Sequence, residues 1–560
     1  MSKPSQIPAI QRLVSWTALL ATVVVMPWAA YDPINAPKLT VISVGGFMAL
    51  GFLFANRNVF RQKRYQLTLI FGLAFVVDLT LVLLVSGTNF YQEFFGTFGR
   101  ATGYVAYVAL ASLMMVAALI ADSLSLRRFT SSLLATGLIS IVYGLIQALN
   151  LDPIKWINQY SPVIGFLGNP NFQSSFVGFS GVLAFAMLIG GGLSLVWSVG
   201  YVSYITLAVY VIKETASQQG YLVLIGGAAV LIFLRIINSK FKYLSIPSLL
   251  LGLLGFVFVT VGSLNKGPLA SFLYKDSITY RGDYWRAGWK MTVENPLFGV
   301  GLDSYGDWYR RTRTVEATLR RGPDFISNSA HNVLLDFSSN GGFPLLLIYL
   351  FMLFLVIKAA IKVIKRSINF DPIFSGLVAV WIVYQAQSII SLNQLGLAVW
   401  GWIISGLIIG YEINTRDVET VHKSPLKIKR VSATISQKAL PTTLVWMFIG
   451  SLVGIALGAP TLNASSRFKA GLESGDANVI QGIANIWPQD PTRSVQVAII
   501  LNQNNLSRQA LAVTEAAKSK FPDSYDVWKI LAALPGVPTD LKVEATSQMK
   551  RLDPHNPNLK

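Results

Sequence analysis

A chain of 560 residues that is 53% hydrophobic and only 13% charged has too little polar surface to cover a soluble particle of its size, so it belongs in a bilayer. Its formal net charge of +19 does not point to nucleic acid, because the Lys and Arg residues sit in short segments between apolar runs and not on one soluble face. With no cysteine, thiol catalysis, thiolate metal sites and disulfides are excluded.

The first apolar run follows Lys3 and Arg12 and ends near Pro27 and Trp28 without a convincing cleavage pattern, so a retained membrane helix is expected there. Runs long enough to cross about 30 Å of hydrocarbon lie at 13–31, 39–55, 67–86, 103–121 and 131–149. Others follow at 172–190, 193–212, 220–237, 244–264, 343–361, 373–390, 396–413 and 440–459, about thirteen in all. Lys and Arg near helix ends are retained in the cytoplasm. Alternate loops collect Arg57, Arg61, Lys63 and Arg64, then Arg127 and Arg128, then Arg235, Lys240 and Lys242, then Lys358, Lys362, Lys365 and Arg366, then a basic stretch at 416–438. The intervening loops offer only Lys38, Arg100, Lys155 and Lys213.

This bias predicts a cytoplasmic N-terminus. An odd number of spans then puts the loop from Asn265 to Gly342 and everything after Pro460 outside. The expected architecture is an all-α polytopic membrane protein of the bacterial inner membrane. Nine spans occupy 1–264, a large periplasmic catalytic loop with amphipathic helices 265–342, four spans 343–459, and a soluble helical-repeat domain 460–560. Within the spans Asp78 is the clearest ionisable residue, with Glu412 near an end. Ion-coupled transporters bury acidic groups at the midplane of repeated halves, and neither feature is prominent. Asp78 reads either as a counter-signal or as a satisfied contact between helices.

The outer loop runs to nearly eighty residues, far beyond an ordinary connection. Arg281 leads an aromatic, amphipathic stretch, Asn295-Pro-Leu-Phe-Gly-Val-Gly301 reads as a turn, and Asp307 to Arg321 carries Arg310, Arg311, Arg313, Arg320 and Arg321. Such arginines could clamp a pyrophosphate by bidentate contacts or face anionic headgroups and solvent. Ser329-Ala-His331-Asn332 follows, then an apolar run to Asn340-Gly341-Gly342. Of three histidines, His331, His422 and His555, only His331 sits where an outer loop enters the membrane.

In the tail, Trp487-Pro488, Phe521-Pro522 and Leu552-Asp553-Pro554 space their prolines 34 and then 32 residues apart, close to the tetratricopeptide period. Ala510 to Ala517 and Trp528 to Ala533 supply the small and aromatic residues that paired helices need. A small helical domain whose prolines only mark loops is the alternative. Either offers a surface for a protein partner.

The ordered set of Gly168-Asn169-Pro170-Asn171 opening a span, Arg281, Asn295 to Gly301 and His331-Asn332 before Gly342 resembles the O-antigen ligase and polymerase family of bacterial envelope glycosyltransferases, over roughly 13–413. The resemblance implies a glycan donor on undecaprenyl pyrophosphate, a lipid, polysaccharide or protein acceptor, and metal-independent inverting transfer with no cofactor. It implies catalytic roles for His331, which could position or deprotonate the acceptor, and for Arg281, which could neutralise the leaving pyrophosphate. Asn169, Asn171, Gln218, Gln219, Arg286, Arg310, Arg311, Arg313 and Asn332 are the expected substrate contacts. The chain has no Asp-x-Asp pair for a carboxylate-held metal. It departs from the family where a Ser-Arg-Gly-like motif is usual: here Ser217-Gln218-Gln219-Gly220 lacks the arginine, and Lys213 or an arginine of 310–321 could compensate. The competing readings are a transporter of a small anion such as bicarbonate and a scaffold that recruits partners through its tail.

Overall fold

The computed structural model describes residues 7–156, 161–416 and 440–559, and all their regular structure is helical. The membrane portion begins with α1 (Ile7–Val23), α2 (Asn35–Ala55), α3 (Lys63–Val85), the short α4 (Phe90–Phe95), α5 (Tyr104–Ile120), α6 (Ser123–Ala148), α7 (Pro170–Gly190), α8 (Leu195–Glu214), α9 (Gln219–Ile237) and α10 (Ser245–Ser263). The large loop holds α11 (Ala270–Leu273), α12 (Asp276–Glu294), α13 (Tyr305–Thr312) and α14 (Val315–Arg321). The chain then enters α15 (Val333–Arg366), α16 (Pro372–Ser388), α17 (Leu395–Thr415) and α18 (Leu440–Glu473). It ends in α19 (Ala477–Ile483), α20 (Pro491–Gln503), α21 (Ser507–Lys520), α22 (Tyr525–Ala533) and α23 (Thr539–Leu552).

Every expected apolar run falls on a helix, but among the described residues ten, not thirteen, are long and apolar enough to cross a membrane. The other three, α1, α5 and α16, have 17 residues each. At 1.5 Å per residue that is about 25 Å, a little short of the hydrocarbon thickness. Helices α5 and α17 are buried on nearly all sides and form the centre of the bundle, whereas α10 leaves its apolar side chains exposed around its circumference.

Helix α18 runs unbroken through Pro460 for 34 residues, about 51 Å and so some 20 Å more than a crossing requires. The boundary expected at 460 therefore lies inside one helix, which carries the tail. Gly450, Gly454 and Gly458 recur every fourth residue on the face against α2, where a Cβ would lie 2.2, 2.6 and 2.8 Å from Phe47 O, Ser43 O and Ser43 Cβ. Thr40 donates to the Gly458 carbonyl at 3.1 Å. Small residues at this spacing let the two backbones approach where lipid supplies no hydrophobic drive. The basic stretch after Arg416, with His422, lies outside the described residues. Glu412 is satisfied by Arg416 at 2.6 Å and Lys362 at 3.8 Å. Asp78 lies in α3, and its buried Oδ2 has no hydrogen-bond partner among the described residues, so no satisfied polar contact between helices is seen at that oxygen.

The two glycine-bearing motifs of the large loop hold each other. Helix α15 breaks at Gly342, φ 73°, and Val300 N donates to Ser339 O at 2.8 Å, Gly301 N to Asn340 O at 3.2 Å, and Phe343 N to Pro296 O at 2.8 Å. A Cβ on Gly299, φ 61°, would sit 2.4 Å from Ser339 O, and one on Gly342 would sit 2.6 Å from Leu297 O. The tail consists of packed helices, with α20 against α21 and α22 against α23. The first helices of these pairs begin 34 residues apart, at Pro491 and Tyr525. Ala510, Val513, Ala517, Trp528 and Leu531 are buried between them.

Gly299→Ala should destabilise the folded protein by about 2–4 kcal/mol, the sum of a left-handed backbone penalty and overpacking. Gly322→Ala, φ 89° with open space around its Cβ, should lose only the backbone part, about 1–2 kcal/mol. Denaturant unfolding of the purified protein measures both, and equal losses would refute the interlock.

Candidate functional site

His331 sits at the entrance to α15, pinned from behind by its neighbours. Asn332 caps the helix, its side chain accepting from Leu334 N at 3.0 Å and Leu335 N at 3.2 Å. The Asp336 carboxylate, one turn in, accepts from Ser329 Oγ at 2.8 Å and Ala330 N at 2.8 Å, and Ser329 Oγ in turn accepts from His331 N at 2.8 Å. These bonds hold His331 at φ 51°, a conformation that costs a non-glycine residue about 1–2 kcal/mol and persists only where the surroundings enforce it. The imidazole makes no hydrogen bond to a described residue and lies 5.6 Å from the Tyr284 ring. Both ring nitrogens are thus available to a ligand.

Tyr284 belongs to α12, which buries Tyr284, Ala287, Gly288 and Met291 on one face. Its carbonyl accepts from Tyr305 Oη at 2.6 Å and its hydroxyl from Arg321 at 2.6 Å. Arg281, one turn earlier, lies in the second turn of α12 and not ahead of the helix. It is half-buried and forms no hydrogen bond or ion pair with a described residue. The five arginines from Arg310 to Arg321 are committed. Arg320 pairs with Asp283. The Arg321 guanidinium stacks over Phe325 and Tyr280.

Arg310, Arg311 and Arg313 face neither headgroups nor solvent, contrary to one reading of the sequence. Arg310 reaches Asp526 at 3.5 Å and Asp553 at 3.4 Å, Arg311 reaches Asp523 at 2.8 Å, and Arg313 reaches Asp553 at 2.6 Å. All three carboxylates belong to the tail. Arg286 is exposed on α12.

Burial, then the positive charges of Arg281 and Arg100, push the His331 imidazole down to about 3, so it is neutral at physiological pH and its lone pair is free. Burial also lowers Arg281 from its ordinary value. Arg100 arrives from the loop between α4 and α5, donates to the Asn328 carbonyl and stands 3.7 Å from Asp303. The segment between α3 and α5, with α4, is built into the large loop: Gln92 donates to Asp307 at 2.9 Å, Thr97 N to Asp303 at 2.7 Å, and Glu93 accepts from Leu302 N at 3.2 Å. Sequence reasoning noticed Arg100 only as an outer-loop charge and missed Tyr284, Ser329 and Asp336. The one available signal was an acidic residue four positions after a capping asparagine.

The remaining expected contacts form a second cluster. Gly168, φ 70°, turns the chain into α7, Asn169 caps that helix by accepting from Asn171 N at 2.9 Å, and Pro170 occupies its first position. Asn171 Oδ1 accepts from Ser217 Oγ at 2.7 Å, and Gln219 Oε1 lies 3.4 Å from Ser175 Oγ. Gln218 donates to the Phe272 carbonyl, and Lys275 Nζ donates to Ala216 O at 3.2 Å. The turn between α8 and α9 is thereby tied to the start of α12, the helix of Arg281. Lys213 is exposed and stands 3.6 Å from Glu214.

Residues 203–350 match the model of the O-antigen ligase family, and with it the resemblance read from the sequence stands. The match runs from within α8 into α15 and takes in Gln218, Gln219, Arg281, Arg286, Arg310, Arg311, Arg313, His331 and Asn332. Asn169, Asn171 and the tail lie beyond it. No curated protein matches the chain. The many apolar helices and this match together indicate a multi-pass membrane protein and support a glycan-transferring enzyme of the ligase type.

The electrostatics of the site are testable without a substrate. Arg281→Gln removes a positive charge that disfavours imidazolium, so the His331 titration should move up from about 3 while burial keeps it below about 6.5. Nitrogen-15 NMR of histidine-labelled protein reads this directly, with the signal assigned by His331→Gln. An unmoved titration would mean that Arg281 does not face the ring.

Proposed function

Taking the O-antigen ligase match as premise, we propose that the chain transfers a glycan from undecaprenyl pyrophosphate to a lipid, polysaccharide or protein acceptor at the outer face of the bacterial inner membrane. The observation that carries this reading is the pairing of Arg281, a half-buried cation with no partner among the described residues, with His331, a neutral imidazole with no hydrogen bond among them. An unpartnered guanidinium in a desolvated setting is suited to a bidentate phosphate contact, and a free imidazole lone pair is suited to taking a proton.

In the proposed step the acceptor oxygen or nitrogen attacks the anomeric carbon from the face opposite the pyrophosphate, giving inversion. The bond from that carbon to the pyrophosphate oxygen breaks, and the leaving group departs with the electron pair. The acceptor's proton passes to His331. Arg281 offsets the charge gathering on the pyrophosphate, so no metal is invoked. Donor binding also prepares the base: a pyrophosphate beside Arg281 cancels part of the field that suppresses imidazolium, and His331 becomes more basic once the donor is in place. Gln218, Gln219, Asn169 and Asn171 are placed in this reading near the donor headgroup, with Lys275 supplying a cation near the turn that lacks the family's arginine. Asn332 supports the site through its cap. Arg310, Arg311 and Arg313, occupied by the tail, act on the substrate only indirectly.

The orientation belongs to the proposal too, and rests on the charge bias of the loops. Reporter fusions after Lys240 and Arg313 should read inside and outside respectively, and a shared side would overturn it. With purified protein and a lipid-pyrophosphate glycan, His331→Ala and Arg281→Ala should each lower transfer by about a hundredfold. Arg281→Lys should recover only part of the loss, because a point charge cannot reproduce the planar fork. Transfer at the parent rate by both alanine variants would remove the site. Counterflow of bicarbonate in vesicles without glycan transfer would instead favour the transporter.

A further inference from the structure

Between α14 and α15 the chain runs from Gly322 to Asn332 without regular structure, and this segment delivers His331. Three successive carbonyls in it are held by two arginines, Arg310 in α13 and Arg313 just past the end of that helix. Arg310 donates to Pro323 O at 2.6 Å and Asp324 O at 3.4 Å, and Arg313 donates to Phe325 O and Pro323 O at 2.9 Å each. Both guanidiniums converge on one oxygen, Asp553 Oδ2. Asp553 ends α23, its side chain is fully buried, and its Oδ2 also accepts from Asn556 Nδ2 at 3.2 Å. The Arg310 guanidinium stacks 4.1 Å over Tyr525, and Lys529 pairs with Asp324. Beyond Phe325 the segment is held again at Asn328 by Arg100 and at Ser329 by Asp336.

A buried guanidinium is tolerable only with a counter-charge, and removing one partner of such a pair leaves the other buried and unpaired. Among the described residues Asp553 is the only carboxylate that meets both arginines. We propose that Asp553, in the last turn of the tail, is a positioning residue for His331: it keeps Arg310 and Arg313 in place, and they hold the segment that sets the imidazole against Tyr284. The tail is thus a working part of the site and not an appendage. This inference rests on the reading of His331 as the group that activates the acceptor. Arg281 stands on α12, anchored independently through Tyr284 and Tyr305, so loss of Asp553 disturbs the base and spares the donor contact.

The test uses full-length protein in nanodiscs, with Asp553→Asn as the near-isosteric variant. Its kcat should fall by at least about 20-fold, the scale of a small misplacement of a reacting group, while KM for the lipid-pyrophosphate donor stays within about threefold. Independently of any activity, the His331 imidazole should titrate nearer its ordinary value, as the ring moves away from burial, Tyr284, Arg281 and Arg100. Asp523→Asn, which touches Arg311 and Arg551 at the edge of the same contact but no carbonyl of 323–325, should leave both readouts within about twofold of the parent. Where Asp553→Asn does not fold, Asn556→Ala removes one donor to the same oxygen and should show the same pattern at about threefold to fivefold. Unchanged kcat and titration in folded Asp553→Asn overturn the inference, as does a loss matched by Asp523→Asn. If the parent transfers no glycan, a titration shift confined to Asp553→Asn still upholds the positioning while the transferase reading falls.

Discussion

In hydrocarbon a polar group without a partner is costly, and several charges set within or beside the bundle are answered inside the chain. Lys38, fully buried in α2, donates to Thr22 O at 2.6 Å and Val24 O at 3.0 Å, closing the open end of α1. Trp400 donates to Thr22 Oγ1 at 2.7 Å, tying α17 to the same point. Glu412 is met by Arg416 and Lys362. Against that background an unpartnered, half-buried cation is conspicuous, and Arg281 is one.

The same accounting reorders the outer loop. Five arginines between 310 and 321 look in one dimension like a phosphate clamp. In three dimensions their charge is already consumed, by Asp553, Asp523 and Asp526 of the tail and by Asp283 of α12, while Arg321 is spent on Tyr284 and the faces of Phe325 and Tyr280. Such pairs add little net stability when buried, because desolvation offsets attraction. What they provide is register: guanidinium forks hold carbonyls in a segment that has no helix to order it.

The tail and the loop depend on each other for this reason. Helix α18 rises without a break from the membrane, the pairs α20–α21 and α22–α23 pack upon one another, and the final turn returns its carboxylate to the loop. From the other side the segment between α3 and α5 supplies Arg100 and Gln92. His331 therefore rests on segments separated by more than two hundred residues in each direction, which is how a non-glycine residue can be held at φ 51°.

The sequence by itself determined what depends on local chemistry. Apolar runs became helices where expected, and Arg281 and His331 were singled out by order and position, whereas the capping roles of Asn169 and Asn332 emerged from the structure. The tail was legible as helical from its proline spacing and small residues. The length of an apolar run did not by itself mark where each helix ends, since α1, α5 and α16 span 17 residues each. Only the tertiary structure decided which arginine is free and which are taken. It also revealed that Gly299 and Gly342 interlock, that Arg100 and Tyr284 shape the field at His331, and that Asp553 anchors the loop. The physical reason is one of range: helix formation and capping are settled within a turn or two of the chain, whereas whether a charge is available depends on whatever carboxylate folding brings to it.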